Sequence, residues 1–103
     1  MLIQTQAELS ALAKRLEPEK VLAVDTEFAS EGRYYAEPAI MQMATRTEAM
    51  LVDLLAVRDI SPLHALLLDP AVTKVFHAGK QDLDIFYRLI GRPVVNVFDT
   101  QMA

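Results

Sequence analysis

The chain has 103 residues, 52% of them hydrophobic and 23% charged, which fits one folded domain and excludes both a multidomain protein and a disordered polar chain. It contains no cysteine, so neither a disulfide framework nor a thiolate metal site can form. The net charge of −4 disfavours a protein that coats phosphates with Lys and Arg, yet suits a site that gathers cations.

The first five residues lack the charged-then-apolar layout of a signal peptide, and no apolar run approaches the roughly 20 residues of a membrane span, so a cytoplasmic protein with no membrane partner is expected. Thr5-Gln6-Ala7-Glu8 has the spacing of a capping box, and Leu9, Leu12, Ala13 and Leu16 recur at helical spacing as far as Pro18. A short amphipathic helix opens the chain.

Val21 to Val24 is apolar on both alternate faces and predicts a strand covered on both sides. That strand runs into Asp25 and Glu27, which share a face about 6.5 to 7 Å apart, a spacing one metal ion can bridge. Two solvated acids at a strand end account for this segment equally well.

Residues 29–38, with Gly32 and Pro38, read as a loop. Ala39 to Thr45 and Ala49 to Asp53 are apolar runs separated by Arg46-Thr47-Glu48, the pattern of an antiparallel hairpin. Gln42 interrupts the first run and is expected to satisfy a backbone group. Ser61-Pro62 starts a second helix that carries Leu63, Leu66 and Leu67 to Asp69-Pro70.

Thr73 to His77 reads as a strand, Lys80 to Ile90 as a helix closed by Gly91 and Pro93, and Val94 to Phe98 as a last strand. On the helix Leu83, Ile85, Phe86, Leu89 and Ile90 fill one half of the wheel, and Asp82 falls inside that apolar arc. Asp84 lies opposite, four residues before Arg88, where an exposed ion pair would explain it. A first-turn acid gains from the helix dipole, but the dipole does not explain why Asp82 faces inward.

The order αβββαβαβ predicts an α/β fold: a mixed sheet of three antiparallel strands followed by parallel ones, flanked by helices. Ligands of such sheets sit outside the carboxyl ends of the parallel strands, where Asp25, His77 and Asp99 fall. Asp25, Glu27 and Asp82 together make a candidate cage for Mg²⁺ or Mn²⁺, both of which favour oxygen ligands. Two such ions about 3.5 to 4 Å apart can hold the attacking and leaving oxygens of a phosphoryl displacement.

Val24 to Phe28 (VDTEF), Lys74 to Phe86 (KVFHAGKQDLDIF) and Val97 to Ala103 (VFDTQMA) resemble, in order and spacing, the DEDD 3′-to-5′ exonucleases, most closely the ribonuclease D group. The resemblance implies a ribonuclease H-like fold over residues 1–103. It also implies two-metal hydrolysis with Asp25, Glu27 and Asp82 as catalytic and metal-binding acids, acting on a single-stranded RNA 3′ end, from a tRNA-like or other structured precursor.

The family's fourth acid lies in a later Tyr-x-x-x-Asp motif that this sequence does not contain, and Asp99 is assigned a structural or capping role instead. The chain therefore resembles the first part of a longer, C-terminally truncated domain, expected to bind metal weakly and to hydrolyse RNA poorly or not at all. A sheet face left apolar and uncovered would favour self-association. Phe28, Tyr35 and His77 are the candidate substrate contacts; Arg33 and Tyr34 share the loop with Tyr35. The rival is a non-catalytic ribonuclease H-like module that binds nucleic acid or protein.

Overall fold

Thr5 starts the first helix through the reciprocal bonds its spacing predicts. Its hydroxyl accepts the Glu8 amide at 3.1 Å, and the Glu8 carboxylate accepts the Thr5 amide at 3.1 Å. In the computed structural model, which describes residues 1–28, 38–77 and 79–101, this helix, α1, covers Gln6–Leu16. Leu9, Leu12 and Leu16 are fully buried, and each contributes about 1.5 to 3 kcal/mol by leaving water.

Before α1 lies a two-residue strand, β1 (Leu2–Ile3); after it come β2 (Val21–Phe28), β3 (Pro38–Ala44) and β4 (Ala49–Asp53). A 3-10 turn over Ser61–Leu63 leads into α2 (His64–Leu68). Then follow β5 (Thr73–Phe76), α3 (Lys80–Ile90) and β6 (Val97–Asp99). The six strands form a mixed sheet in the order β1-β4-β3-β2-β5-β6. β2, β3 and β4 pair antiparallel, whereas β5 and β6 run parallel to β2, and β1 runs parallel to β4.

One hydrophobic core joins α1, α2 and α3 to a single face of this sheet, through Leu22, Val24, Met41, Met43, Val52 and Phe76 among others. Phe86 of α3 meets Phe76 edge-on, with ring centroids 6.2 Å apart. Here the expectation that β2 is covered on both faces is corrected. Leu22 and Val24 are buried, but Val21 is half exposed, because all three helices pack on the same side. The open face also shows Leu51 and Phe98.

The last strand is shorter than the apolar run Val94 to Phe98 predicts. Asn96 adopts φ +61°, a left-handed conformation that breaks the extended backbone just before β6. Val95 ahead of that break turns its amide to the Leu67 carbonyl at 3.1 Å. Its own carbonyl, with that of Asp69, receives the ammonium of Lys74 at 2.8 and 2.7 Å. Lys74 is fully buried in β5, and burial pulls its pKa down while Asp69 nearby opposes the shift. No ion pair joins Asp84 to Arg88 among the described residues.

Candidate metal and nuclease site

The parallel strands β2, β5 and β6 end on the same edge of the sheet. β2 pairs with β5 from Val21 to Ala23, which brings Val24 level with Phe76 at the end of β5, so its last four residues run past β5, with β3 as their partner strand. The start of α3, which the chain enters just after β5, reaches them through the bond between Thr26 and Asp82. That start is held by β6: the Asp99 carboxylate accepts the Gly79 amide at 2.8 Å and the Gln101 amide at 3.0 Å, the capping role its segment suggested.

Gly79 presses so closely on β5 that a Cβ there would lie 2.5 Å from the Cβ of Phe76. Helix and strand are thereby brought into contact where a side chain larger than hydrogen has no room. This contact sets the depth at which Asp82, one turn further on, enters the structure.

Asp82 is 6% exposed, in agreement with its place in the apolar arc of the helix. Thr26 of β2, buried on the helix-facing side, donates its hydroxyl to Asp82 Oδ1. Burial pushes the Asp82 pKa up; the Thr26 bond opposes that shift, and the neighbouring Asp25 carboxylate adds to it. Asp25 itself turns Oδ1 onto the Thr26 amide at 2.9 Å. The acids of β2 and α3 therefore meet through Asp25 and Asp82, with Thr26 between them.

Glu27 stands on the same strand face as Asp25, and its Oε1 accepts the side-chain amide of Gln42 at 3.2 Å. Among the described residues no three Asp, Glu, His or Cys side chains converge closely enough to hold one ion between them. The chemistry of the Asp25 and Asp82 pair nevertheless fits a hard divalent cation. Two carboxylates are drawn together, one of them buried, and no Lys or Arg among the described residues forms an ion pair with either.

His77 follows β5 and is exposed; its Nδ1 hydrogen-bonds the Thr100 hydroxyl at 2.8 Å. With Asp25, Gln42, Leu51 and Val75 it lines a cleft of about 370 Å³ on the open sheet face. Phe28 ends β2 opposite Pro38, where the register shifts. Arg33, Tyr34 and Tyr35 lie outside the described residues.

The sequence does not single out Thr26, and nothing short of the fold could bring it to Asp82, 56 positions away. Gln42 left a signal, as a polar residue inside an apolar strand, but the signal did not name Glu27 as its partner.

A mixed sheet with this strand order, and with acids gathered at the carboxyl end of β2, defines a ribonuclease H-like nuclease fold. The chain belongs to the 3′-5′ exonuclease family, whose model matches residues 1–103. It is 44% identical over 104 aligned positions to ribonuclease D of Gluconacetobacter diazotrophicus, covering all of this chain and 26% of that protein.

Among solved structures, Escherichia coli RNase D, described as an exoribonuclease involved in structured RNA processing, superposes with a TM-score of 0.91 at 34% identity. That match covers 99% of this chain and 27% of that one. The catalytic core of RRP6 from Trypanosoma brucei gives 0.87 at 36% identity, over 96% and 28% of the two chains. The chain thus spans about a quarter of the relatives it matches.

Proposed function

We propose that this chain supplies the acidic, metal-binding part of a 3′-to-5′ exoribonuclease domain that hydrolyses RNA from its 3′ end. One observation carries the reading: α3 delivers a buried aspartate, Asp82, against Asp25 at the end of β2. Burying a carboxylate beside another is unfavourable unless a proton or a cation compensates, since charge is costly to strip of water, and one bound divalent ion can serve both acids at once. The match to ribonuclease D along the whole chain supports the same assignment.

In this reading Asp25, Glu27 and Asp82 hold Mg²⁺ or Mn²⁺, two ions in the complete site. Bound divalent ions supply positive charge for the scissile phosphate and lower the pKa of water. The residues of this chain do the positioning. Asp25 and Asp82 present carboxylate oxygens from two different elements. The Thr26 hydroxyl fixes the rotamer of Asp82, and Asp99 fixes the start of its helix.

His77, tied through Nδ1 to Thr100, leaves Nε2 to donate to or accept from the terminal nucleotide. Phe28 and Tyr35 are assigned to the same nucleotide, where aromatic faces can stack on a base. A single-stranded 3′ end of a structured RNA is the proposed partner.

The test is thermal. Mn²⁺ at about 100 times its Kd stabilises a folded chain by roughly 2.7 kcal/mol, so the melting temperature must rise with Mn²⁺. Asp25→Asn combined with Asp82→Asn must abolish that rise. An unchanged response in the double variant removes both residues from a metal site. Hydrolysis itself is read on 5′-labelled single-stranded RNA with the chain extended to the length of its relatives, where shortening from the 3′ end is expected.

A further inference from the structure

We propose that Thr100 is a positioning residue for His77: it holds the ring in the tautomer that leaves Nε2 a hydrogen-bond acceptor, to be met by a sugar hydroxyl of the terminal nucleotide. This rests on the reading of His77 as a nucleotide contact and involves no metal. One hydroxyl makes two bonds: Thr100 Oγ1 lies 2.8 Å from His77 Nδ1 and 3.3 Å from the Phe76 carbonyl oxygen.

A hydroxyl has one hydrogen, and a carbonyl can only accept. The hydrogen of Thr100 therefore goes to Phe76, and its oxygen faces Nδ1 as an acceptor. Nδ1 must then carry the proton of the ring. In neutral imidazole the other nitrogen, Nε2, is left with a lone pair and no hydrogen. The reverse arrangement, with Thr100 donating to Nδ1, leaves the bond to the carbonyl unmade.

The hydroxyl is held on a fixed mount. Thr100 follows β6 directly, and its amide donates to the same Phe76 carbonyl at 2.8 Å. Phe76 ends β5 and His77 comes next, so ring and hydroxyl leave from the ends of two adjacent parallel strands. Both residues line the cleft that Asp25 also lines. With Nδ1 engaged, Nε2 is the one ring nitrogen of His77 left for a ligand.

An acceptor nitrogen selects what binds it. Phosphate oxygens are acceptors too, so a neutral Nε2 gains nothing from them. Base edges change with sequence, whereas an enzyme that shortens RNA stepwise meets a sugar hydroxyl on every nucleotide. A 3′-terminal ribonucleotide offers two, and the 2′-hydroxyl tells RNA from DNA.

The tautomer is read from long-range proton–nitrogen NMR correlations of the ligand-free chain in EDTA, at a pH where the ring is neutral. His77 is expected with its proton on Nδ1. Thr100→Val is expected to release the ring to the tautomer mixture of free imidazole, and Thr100→Ser, which keeps the hydroxyl, to restore the wild-type form. The ligand is read from the Kd of a short 5′-labelled single-stranded RNA in EDTA, against the same RNA ending in a 2′-deoxy or a 3′-deoxy nucleotide. Loss of the hydroxyl that meets Nε2 is expected to raise the wild-type Kd about 2- to 10-fold, and the Kd of Thr100→Val or His77→Phe less than about twofold.

A wild-type proton on Nε2 overturns the proposal, and so does a Thr100→Val ring that keeps the wild-type tautomer. Equal Kd values for the three RNAs, with the His77 ring signals shifting on binding, overturn the hydroxyl ligand while His77 remains a nucleotide contact. Ring signals that none of the RNAs moves overturn the reading of His77 as a nucleotide contact, and this inference with it.

Discussion

Gly79→Ala separates two physical effects of opposite sign. Gly79 has φ −85° and ψ 9°, a conformation open to alanine, so the backbone effect alone predicts a gain of about 0.4 to 1 kcal/mol from a stiffer unfolded chain. Packing predicts the reverse. The new methyl would lie 2.5 Å from Phe76 Cβ and 2.9 Å from its Cγ, whereas carbon atoms rest about 3.5 to 4.0 Å apart. Phe76 Cβ is fixed to the backbone of β5 and cannot swing away, so the start of α3 must retreat by about 1 Å. Overpacking of this kind costs about 1 to 3 kcal/mol, and at about 2 kcal/mol it exceeds the backbone gain by about 1 to 1.6 kcal/mol. For a domain of this size that lowers the melting temperature by roughly 4 to 13 °C. Circular dichroism melting of the metal-free chain is the assay, with Gly91→Ala as control. Gly91 has open space around it but φ +81°, so its substitution costs about 1 to 2 kcal/mol through conformation alone. If Gly79→Ala melts at or above the wild-type temperature, the close contact between helix and strand is not what seats Asp82.

Asp82→Asn tests the raised pKa of Asp82. A carboxyl whose folded pKa lies above its unfolded value contributes stability that is complete below the ordinary range near 3.8, and loses it as pH climbs through the raised value. In EDTA the wild-type urea midpoint therefore declines relative to Asp82→Asn as pH rises from about 4. Parallel curves contradict the burial argument. Lys74→Met takes the ammonium from two backbone carbonyls, of which that of Asp69 keeps the Val72 amide while that of Val95 loses its donor, and is expected to cost about 1 to 3 kcal/mol, read as a lower urea midpoint; an unchanged midpoint means water replaces the ammonium at no cost. Thr5→Ala removes one half of the reciprocal cap on α1 and should cost about 1 kcal/mol in the same titration, while Thr5→Ser should cost less. Sedimentation of the chain tests whether the open face carrying Val21, Leu51 and Phe98 drives self-association, which dilution should reverse.

The parts of the fold written in local chemistry were legible. The cap of α1 needs only Thr5 and Glu8, and α3 is bounded by an apolar arc and a left-handed Gly91, so both read correctly from spacing. Asp82 could be picked out because an acid inside an apolar arc is anomalous within its own helix. The features that escaped depend on distant partners. β1 has two residues, too few for any periodicity, and exists because Leu2 and Ile3 pair with Leu51 and Val52. Which face of β2 is covered depends on where three helices pack, and an apolar run on both faces cannot say. Lys74 fell unremarked in the strand expected over Thr73 to His77; its burial goes with two carbonyls, of Asp69 and Val95, that flank the strand. Gln42 shows the boundary most clearly, since its polarity was visible in the strand while its partner was set by register between strands.

The buried ammonium of Lys74 also makes the chain a reporter of its own opening. Acylating reagents attack uncharged, solvent-reached amines, so Lys14, Lys20 and Lys80 on the surface will react in the native protein while Lys74 is shielded. Mass-spectrometric counting of modified lysines over time then follows how often β5 is released from the turns that clasp it, without a dye, a tag or a substrate.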